Sequence, residues 1–231
     1  MDKELSIVLP VYNECENLAI LIPHIEETFK EYSFELIIVD DNSKDVTQSL
    51  LHELNKFFLN VRSIKRENVF GIGSALRDGY NIAQGKYILS SDADLSFSPT
   101  DMLRLYEKVL EGYDMVLGYK CRDKKVPHNF FKSFISILGN MLVRTLSGIQ
   151  LRNFSTNFRI IRASQWKKIK TCEDAHPFLF ESVLKANHLG LRICEIPIIF
   201  HDRKYGKSKL NFFREAPRFL IKVIKYTFIE K

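Results

Sequence analysis

Along residues 5–119 the chain switches between two hydrophobic periods. LSIVLP (5–10) is an unbroken apolar run with the length of a buried strand. Over 15–31 the period becomes helical, with Leu18, Leu21, Ile22, Ile25 and Phe29 on one face. FELIIVDD (34–41) is a second buried strand that ends in acids. Residues 45–57 follow as a helix with Val46, Leu50, Leu51 and Leu54 on one side. NVRSIKR (60–66) predicts a third strand, 73–84 a helix after Gly71-Ile72-Gly73, and KYILSSDAD (86–94) a fourth strand. Pro99 opens a helix that runs to about Gly112, and DMVLGY (114–119) predicts a fifth strand.

Alternating strands and helices argue for an α/β fold, a mostly parallel sheet flanked by helices on both faces. Ligands of such sheets bind beyond the carboxyl ends of the strands. Three of those ends are polar here: PVYNE (10–14), DDNSKD (40–45) and SDAD (91–94).

The second half reads differently. Residues 128–147 are apolar at helical spacing with few acids, and NFSTNFRII (153–161) reads as a strand. Residues 175–189 form a helix through Phe178, Phe180, Val183 and Leu184, and LRICEIPIIF (191–200) is a strand pair or one strand bent at Pro197. HDRKYGKSKL (201–210) is a basic, glycine-containing loop. In the tail, Arg214, Arg218, Lys222 and Lys225 make one helical stripe, with Phe212, Phe213, Phe219, Leu220, Val223, Ile224 and Phe228 on the other side. That pattern fits a helix lying in a membrane interface. It also fits a helix packed on the domain with its basic face in water. The expected division is a catalytic domain over 1–209 and a basic amphipathic C-terminal tail over 210–231.

With 231 residues, 45% of them hydrophobic and 27% charged, the chain can bury a sizeable core. The 34 Lys+Arg against 28 Asp+Glu give a net charge of +6, which suits an anionic partner. Cys15, Cys121, Cys172 and Cys194 form no CxxC pair, so free thiols in a reducing compartment are expected. The start, MDKELSIVLP, lacks the apolar core of a signal peptide. No uncharged apolar run reaches the roughly 18 residues of a membrane span. FFKSFISILGNMLV (130–143) is broken by Lys132 and Asn140.

Asp92 and Asp94 carry the sharpest chemical signal. Two carboxylates one residue apart at a strand end repel each other, and a hard divalent cation such as Mg²⁺ or Mn²⁺, shared with a diphosphate, would offset that repulsion. The alternative is an N-cap for the next helix. Asp41 is placed to accept hydrogen bonds from a nucleobase and Tyr12 to lie against base or ribose, while Asn13, Asn42 and Ser43 also suit helix starts. GIGSALRDG (71–79) has no Gly-Lys-Ser/Thr ending and no clean dinucleotide fingerprint, so Gly71 and Gly73 are expected to permit close packing or a tight turn.

VLPVYNECENL, LIIVDDNSKDVT, GIGSALRDG and SSDADLS, in this order, resemble a family 2 glycosyltransferase with the GT-A fold, a Rossmann-like sheet. FESVLKANHLGLRICEIPIIFHDRKYGKSKL (180–210) is similar to the end of the catalytic domain in dolichyl- or polyprenyl-phosphate sugar synthases, particularly the mannosyl type. The resemblance implies an inverting, metal-dependent transferase in which Pro10, Tyr12, Glu14, Val39 and Asp41 bind the nucleotide, Asp92 and Ala93 touch the nucleotide sugar, and Asp94 ligates Mg²⁺ or Mn²⁺. Ser96 stands where the family often has a Gln or His metal ligand. Arg203 and Lys209 fit the family's basic loop. Lys120 and Lys132, the latter four residues before Ser136, stand where the family carries Arg, and Asn153 replaces an Asp.

The implied donor is GDP-mannose or a UDP-hexose, and the acceptor a polyprenyl or dolichyl phosphate. A lipid phosphate is its own nucleophile, so cations rather than a general base are needed: Lys120, Lys132, Arg159, Arg203 and Lys209, with Ser136 beside them. The implied setting is the cytoplasmic face of a membrane, with peripheral attachment and a separate transmembrane partner. Transfer to a glycan hydroxyl and non-catalytic nucleotide-sugar binding are the alternatives. Nucleic-acid binding is disfavoured, because acidic strand ends repel phosphates in the absence of a metal.

Overall fold

The computed structural model describes residues 3–68, 71–121, 141, 143–145, 148–201, 222, 225 and 226. The strands are β1 (Leu5–Val11), β2 (Phe34–Asp40), β3 (Val61–Lys65), β4 (Tyr87–Ser90), β5 (Met115–Cys121), β6 (Arg159–Arg162) and β7 (Ile193–Ile199). The helices are α1 (Cys15–Phe29), α2 (Thr47–Phe57), α3 (Ile72–Ile82), α4 (Pro99–Leu110), the single turn α5 (Ala163–Trp166) and α6 (Pro177–His188). The strands form one seven-stranded sheet in the order β3-β2-β1-β4-β6-β5-β7. Only β6 runs against its neighbours; every other adjacent pair is parallel.

Both faces of the central strands are apolar, so their sequences read as unbroken runs rather than alternations. Leu5, Ile7, Leu9, Leu36 and Ile38 point to one face, under α1 and α4. Val8, Ile37 and Val39 point to the other, under α3 and α6. Each such side chain, at or near zero exposure, contributes about 1.5–3 kcal/mol through burial. α3 sits close to α6 because its first turn is built from glycine. Gly71 has φ +105, and a Cβ on Gly73 would lie 2.6 Å from that of Phe178.

Two expected strands change. Only the end of NFSTNFRII is strand, because Asn153 and Thr156 spend their side chains on local amides. Asn153 Oδ1 accepts from Ser155 N at 3.1 Å and Thr156 Oγ1 from Phe158 N at 3.1 Å. LRICEIPIIF is one strand, and Pro197 is tolerated because β7 is an edge. The four cysteines are free thiols. Among the described residues no helix is long and apolar enough to cross a membrane. Within the tail, Tyr226 is 1% exposed and Lys222 pairs with Glu173, so this turn of the basic stripe faces the domain. Arg214, Arg218 and the rest of the tail's apolar side lie outside the described residues, as does most of 128–147.

Candidate active site

From β1 the chain winds outward to β2 and β3, then returns to place β4 on the other side of β1. The carboxyl ends of β1 and β4 therefore flank the crevice where strand order reverses, the place where such sheets bind ligands. PVYN follows β1 and SDAD follows β4. A left-handed residue occurs in each of the three polar loops: Asn13 (φ 55), Asn42 (φ 65) and Leu95 (φ 62). Asparagine tolerates that conformation, whereas for leucine it costs about 1–2 kcal/mol. Such strain persists where the surroundings over-determine it, most often at functional sites.

The loops after β1 and β2 are laced together. Asn13 N donates to Ser43 Oγ at 2.8 Å, Lys44 N to Asn13 Oδ1 at 2.7 Å, and Glu14 N to Thr47 Oγ1 at 3.2 Å. Asp40 turns inward and accepts from Ser43 N at 3.0 Å and from Gln48. Asn13 and Ser43 thus tie two loops rather than cap helices; the caps of α1 and α2 are Glu14 and Val46. Asp41 is held at the rim. Its Oδ1 accepts from Arg66 Nη1 at 2.8 Å and its Oδ2 from Gly71 N at 3.0 Å. The Arg66 and Asp41 side chains are 8% and 9% exposed, and Arg66 also donates to Ser74 Oγ and pairs with Asp78. Tyr12 and Pro10 are half-buried at the end of β1, and Glu14 accepts from Asn17 Nδ2 at 2.7 Å.

Asp94 is 6% exposed, and its Oδ1 accepts from Ser96 N at 3.1 Å. The Ser96 carbonyl accepts from His201 N at 3.0 Å, which brings the end of β7 to this loop. Phe97 stacks on Phe158 at 4.4 Å and meets Phe200 edge-on at 5.6 Å, so the acidic loop is clamped between β6 and β7. Asp92 accepts from Asn157 Nδ2 at 3.0 Å through Oδ1. Neither acid caps α4. Ser98 does, accepting from Asp101 N at 3.1 Å just before Pro99. Lys120, at the end of β5, is exposed with Nζ 3.3 Å from the Phe200 ring centroid.

Two proposed contacts take a different form. Val39 is wholly buried and paired on both sides, so its side chain is core and it serves the rim by placing Asp40 and Asp41. Ala93, 4% exposed, points into the core between the two acids. Arg159 is corrected outright. It is 1% exposed and donates to the carbonyls of Thr156 and Leu179 and to Ser182 Oγ, so it cannot meet an acceptor phosphate. Burial lowers its pKa to about 10, opposed by Tyr80 and Asp92; the guanidinium is still charged at neutral pH. Lys132, Ser136, Arg203 and Lys209 lie outside the described residues.

Two rim residues escaped sequence reading. Arg66 directly follows β3, and topology alone would have placed it at the rim. Asn157 had no local signal. Its Nδ2 holds Asp92, while its Oδ1 is buried without a hydrogen-bond partner among the described residues. An orphaned acceptor of this kind costs about 1–3 kcal/mol.

The donor chemistry fits a shared hard cation. Among the described residues no three His, Cys, Asp or Glu converge on one point. A closed structural metal site is therefore not built here. Mg²⁺ and related ions are commonly held by one or two carboxylates, with water and substrate phosphate completing the shell. Asp94, beside Asp92, supplies that kind of oxygen ligand.

The doubly wound sheet, with helices on both faces and one antiparallel strand, is the GT-A fold of glycosyltransferases. The chain belongs to glycosyl transferase family 2, whose model matches residues 6–170. It is 30% identical over 214 residues to the undecaprenyl-phosphate 4-deoxy-4-formamido-L-arabinose transferase of Proteus mirabilis (strain HI4320), covering 91% of this chain and 64% of that protein's length. The fold is similar to glucosyl-3-phosphoglycerate synthase from Mycobacterium tuberculosis in complex with Mn²⁺, UDP and glucosyl-3-phosphoglycerate, with TM-score 0.72, 16% identity and coverage of 97% of this chain and 80% of that one. The same enzyme has been solved with Mg²⁺ and UDP. S. aureus TarS 1–349 in complex with UDP-GlcNAc matches with TM-score 0.61 and 19% identity, over 96% of this chain and 66% of that one.

Proposed function

We propose that this chain transfers a sugar from a nucleotide sugar to a polyprenyl phosphate, with inversion at the anomeric carbon. The observation that carries the reading is the placement of Asp41 after β2 and of Asp92 and Asp94 after β4, the two strands that flank β1, on one rim of the sheet. The likeness to an undecaprenyl-phosphate sugar transferase across 91% of the chain supports the acceptor class.

In this reading Asp41 receives the base, Pro10, Tyr12 and Glu14 line the nucleotide, and Asp92 receives the sugar. Bound at Asp94 with Ser96 beside it, Mg²⁺ or Mn²⁺ supplies positive charge to the departing diphosphate. A phosphate oxygen of the lipid forms the new bond to the anomeric carbon as the bond to the diphosphate oxygen breaks. That nucleophile needs no general base, because a monophosphate with second pKa of about 6 is largely dianionic at neutral pH. Lys120, exposed at the end of β5, is assigned to attract the acceptor phosphate, and Lys132, Ser136, Arg203 and Lys209 are assigned the same task. Lysine acts there as a point charge, without the bidentate fork of arginine.

GDP-mannose is the donor favoured by the likeness of 180–210, and UDP-hexoses come next. The +6 charge and the basic tail support peripheral attachment to the cytoplasmic face of a membrane, beside a transmembrane partner. The test is transfer from a panel of GDP- and UDP-sugars, including a 4-formamido-arabinosyl nucleotide, to a short polyprenyl phosphate with Mg²⁺ or Mn²⁺. A lipid-linked product with one donor is expected. Transfer only to free glycan hydroxyls would overturn the acceptor assignment.

A further inference from the structure

β6 enters the sheet from a distant part of the sequence and pairs antiparallel with β4, Ser90 opposite Arg159. Continuing that register past the strand ends sets Asp92 opposite Asn157. The pair is then locked from three sides. Ser90 Oγ donates to the Asn157 carbonyl at 2.8 Å and lies 2.6 Å from Tyr80 Oη, so the backbone of Asn157 is fixed from α3 and β4. Arg159, two residues on, ties the Thr156 carbonyl to Leu179 O (2.8 Å) and Ser182 Oγ (2.7 Å) of α6. Phe158, between them, stacks on Phe97 of the acidic loop itself.

We propose that Asn157 is a positioning residue of the donor-sugar site, holding the Asp92 carboxylate in the orientation in which it receives the sugar. The inference rests on the nucleotide-sugar reading above. Three observations converge on it. Asn157 is 3% exposed, so its amide has one fixed environment. Its Nδ2 donates to a rim carboxylate rather than to the fold's own backbone. Its Oδ1 has no partner among the described residues, so the amide is a poor choice for stability alone at this position. Local rules of this kind are broken mainly where function requires it. The amide orients the carboxylate through a single hydrogen bond to Oδ1.

The experiment compares binding of a bare nucleoside diphosphate and of the matching nucleotide sugar, each with Mn²⁺, by calorimetry. The proteins are the wild type, Asn157→Ala, the milder Asn157→Ser, Asp92→Asn, and Asp92→Asn combined with Asn157→Ala. Thermal melting of each accompanies the binding. Asn157→Ala and Asn157→Ser are expected to weaken the nucleotide sugar about tenfold and leave the diphosphate within about twofold, which is the size of one lost oriented contact. In the Asp92→Asn background Asn157→Ala should add little, because a residue that acts through Asp92 has nothing left to position. Full additivity, or equal loss of both ligands, would overturn the proposal and make Asn157 a structural residue. A wild type that binds the diphosphate but gains nothing from the sugar in any donor would also overturn it, while leaving the nucleotide site standing. A wild type that binds neither would remove the underlying reading and this inference together.

Discussion

The two sides of the switch point hold their rim carboxylates by different means. On the β2–β3 side Asp41 is fastened by a guanidinium and a backbone amide from residues 25 and 30 positions further on. On the β4–β6 side Asp92 is met by a neutral amide from 65 positions away. The first side is a parallel winding whose partners follow one another in sequence, and its acid is charge-neutralised. The second receives an antiparallel strand from beyond a long excursion, and an amide of that strand's approach orients Asp92.

Asp94→Ala should have the largest effect on activity. Transfer should fall by about 10³-fold or more, the scale on which a key electrostatic group acts, and Mn²⁺-dependent nucleotide binding should be lost. Thermal melting separates this from unfolding: the lost bond to Ser96 N is worth only about 1 kcal/mol. Retained activity would break the assignment of the chemistry to the β4 side.

Arg159→Met should have the largest effect on stability. It leaves the Thr156 carbonyl without its donor and removes the guanidinium's bonds to Leu179 O and Ser182 Oγ, for a combined loss of about 3 kcal/mol in urea unfolding. If phosphate binding fell with no loss of stability, the buried placement of Arg159 would be wrong. Arg66→Met tests the other side. It removes the guanidinium from a buried carboxylate that keeps the Gly71 amide, with an expected loss of about 3 kcal/mol or somewhat less, together with weaker binding of a bare nucleoside diphosphate. A change below that of a surface pair would show that the guanidinium does not fasten Asp41. Lys222→Ala should have the smallest effect, about 0.5–1 kcal/mol, because its pair with Glu173 is partly exposed. If this substitution also altered binding to anionic liposomes, the turn around Lys222 would have a membrane role beyond its docking on the domain.

Much of the nucleotide side was legible. β1, β2 and the helices that follow them can be read from apolar runs and helical periods, and the polar strand ends stand out by the rule that parallel sheets bind ligands at the carboxyl rim. Asp94 was legible as part of a D-x-D pair, though not that Ser98 rather than an aspartate caps α4. NFSTNFRII misled because Asn153 and Thr156 favour local amide contacts over strand pairing, and Arg159 looked like a phosphate ligand because charge is usually exposed.

The alternation of elements, the two-sided core and the acidic strand ends were set locally, because burial acts on each segment through its own period. Packing in three dimensions settled that Arg159 is dry, which acid Arg66 pairs with, and that Asn157 stands opposite Asp92. The placements of Arg159 and Asn157 depend on the antiparallel insertion of β6 between β4 and β5, and that of Arg66 on the pairing of β3 with β2; strand neighbours in a sheet are chosen by packing of the whole core rather than by any local pattern.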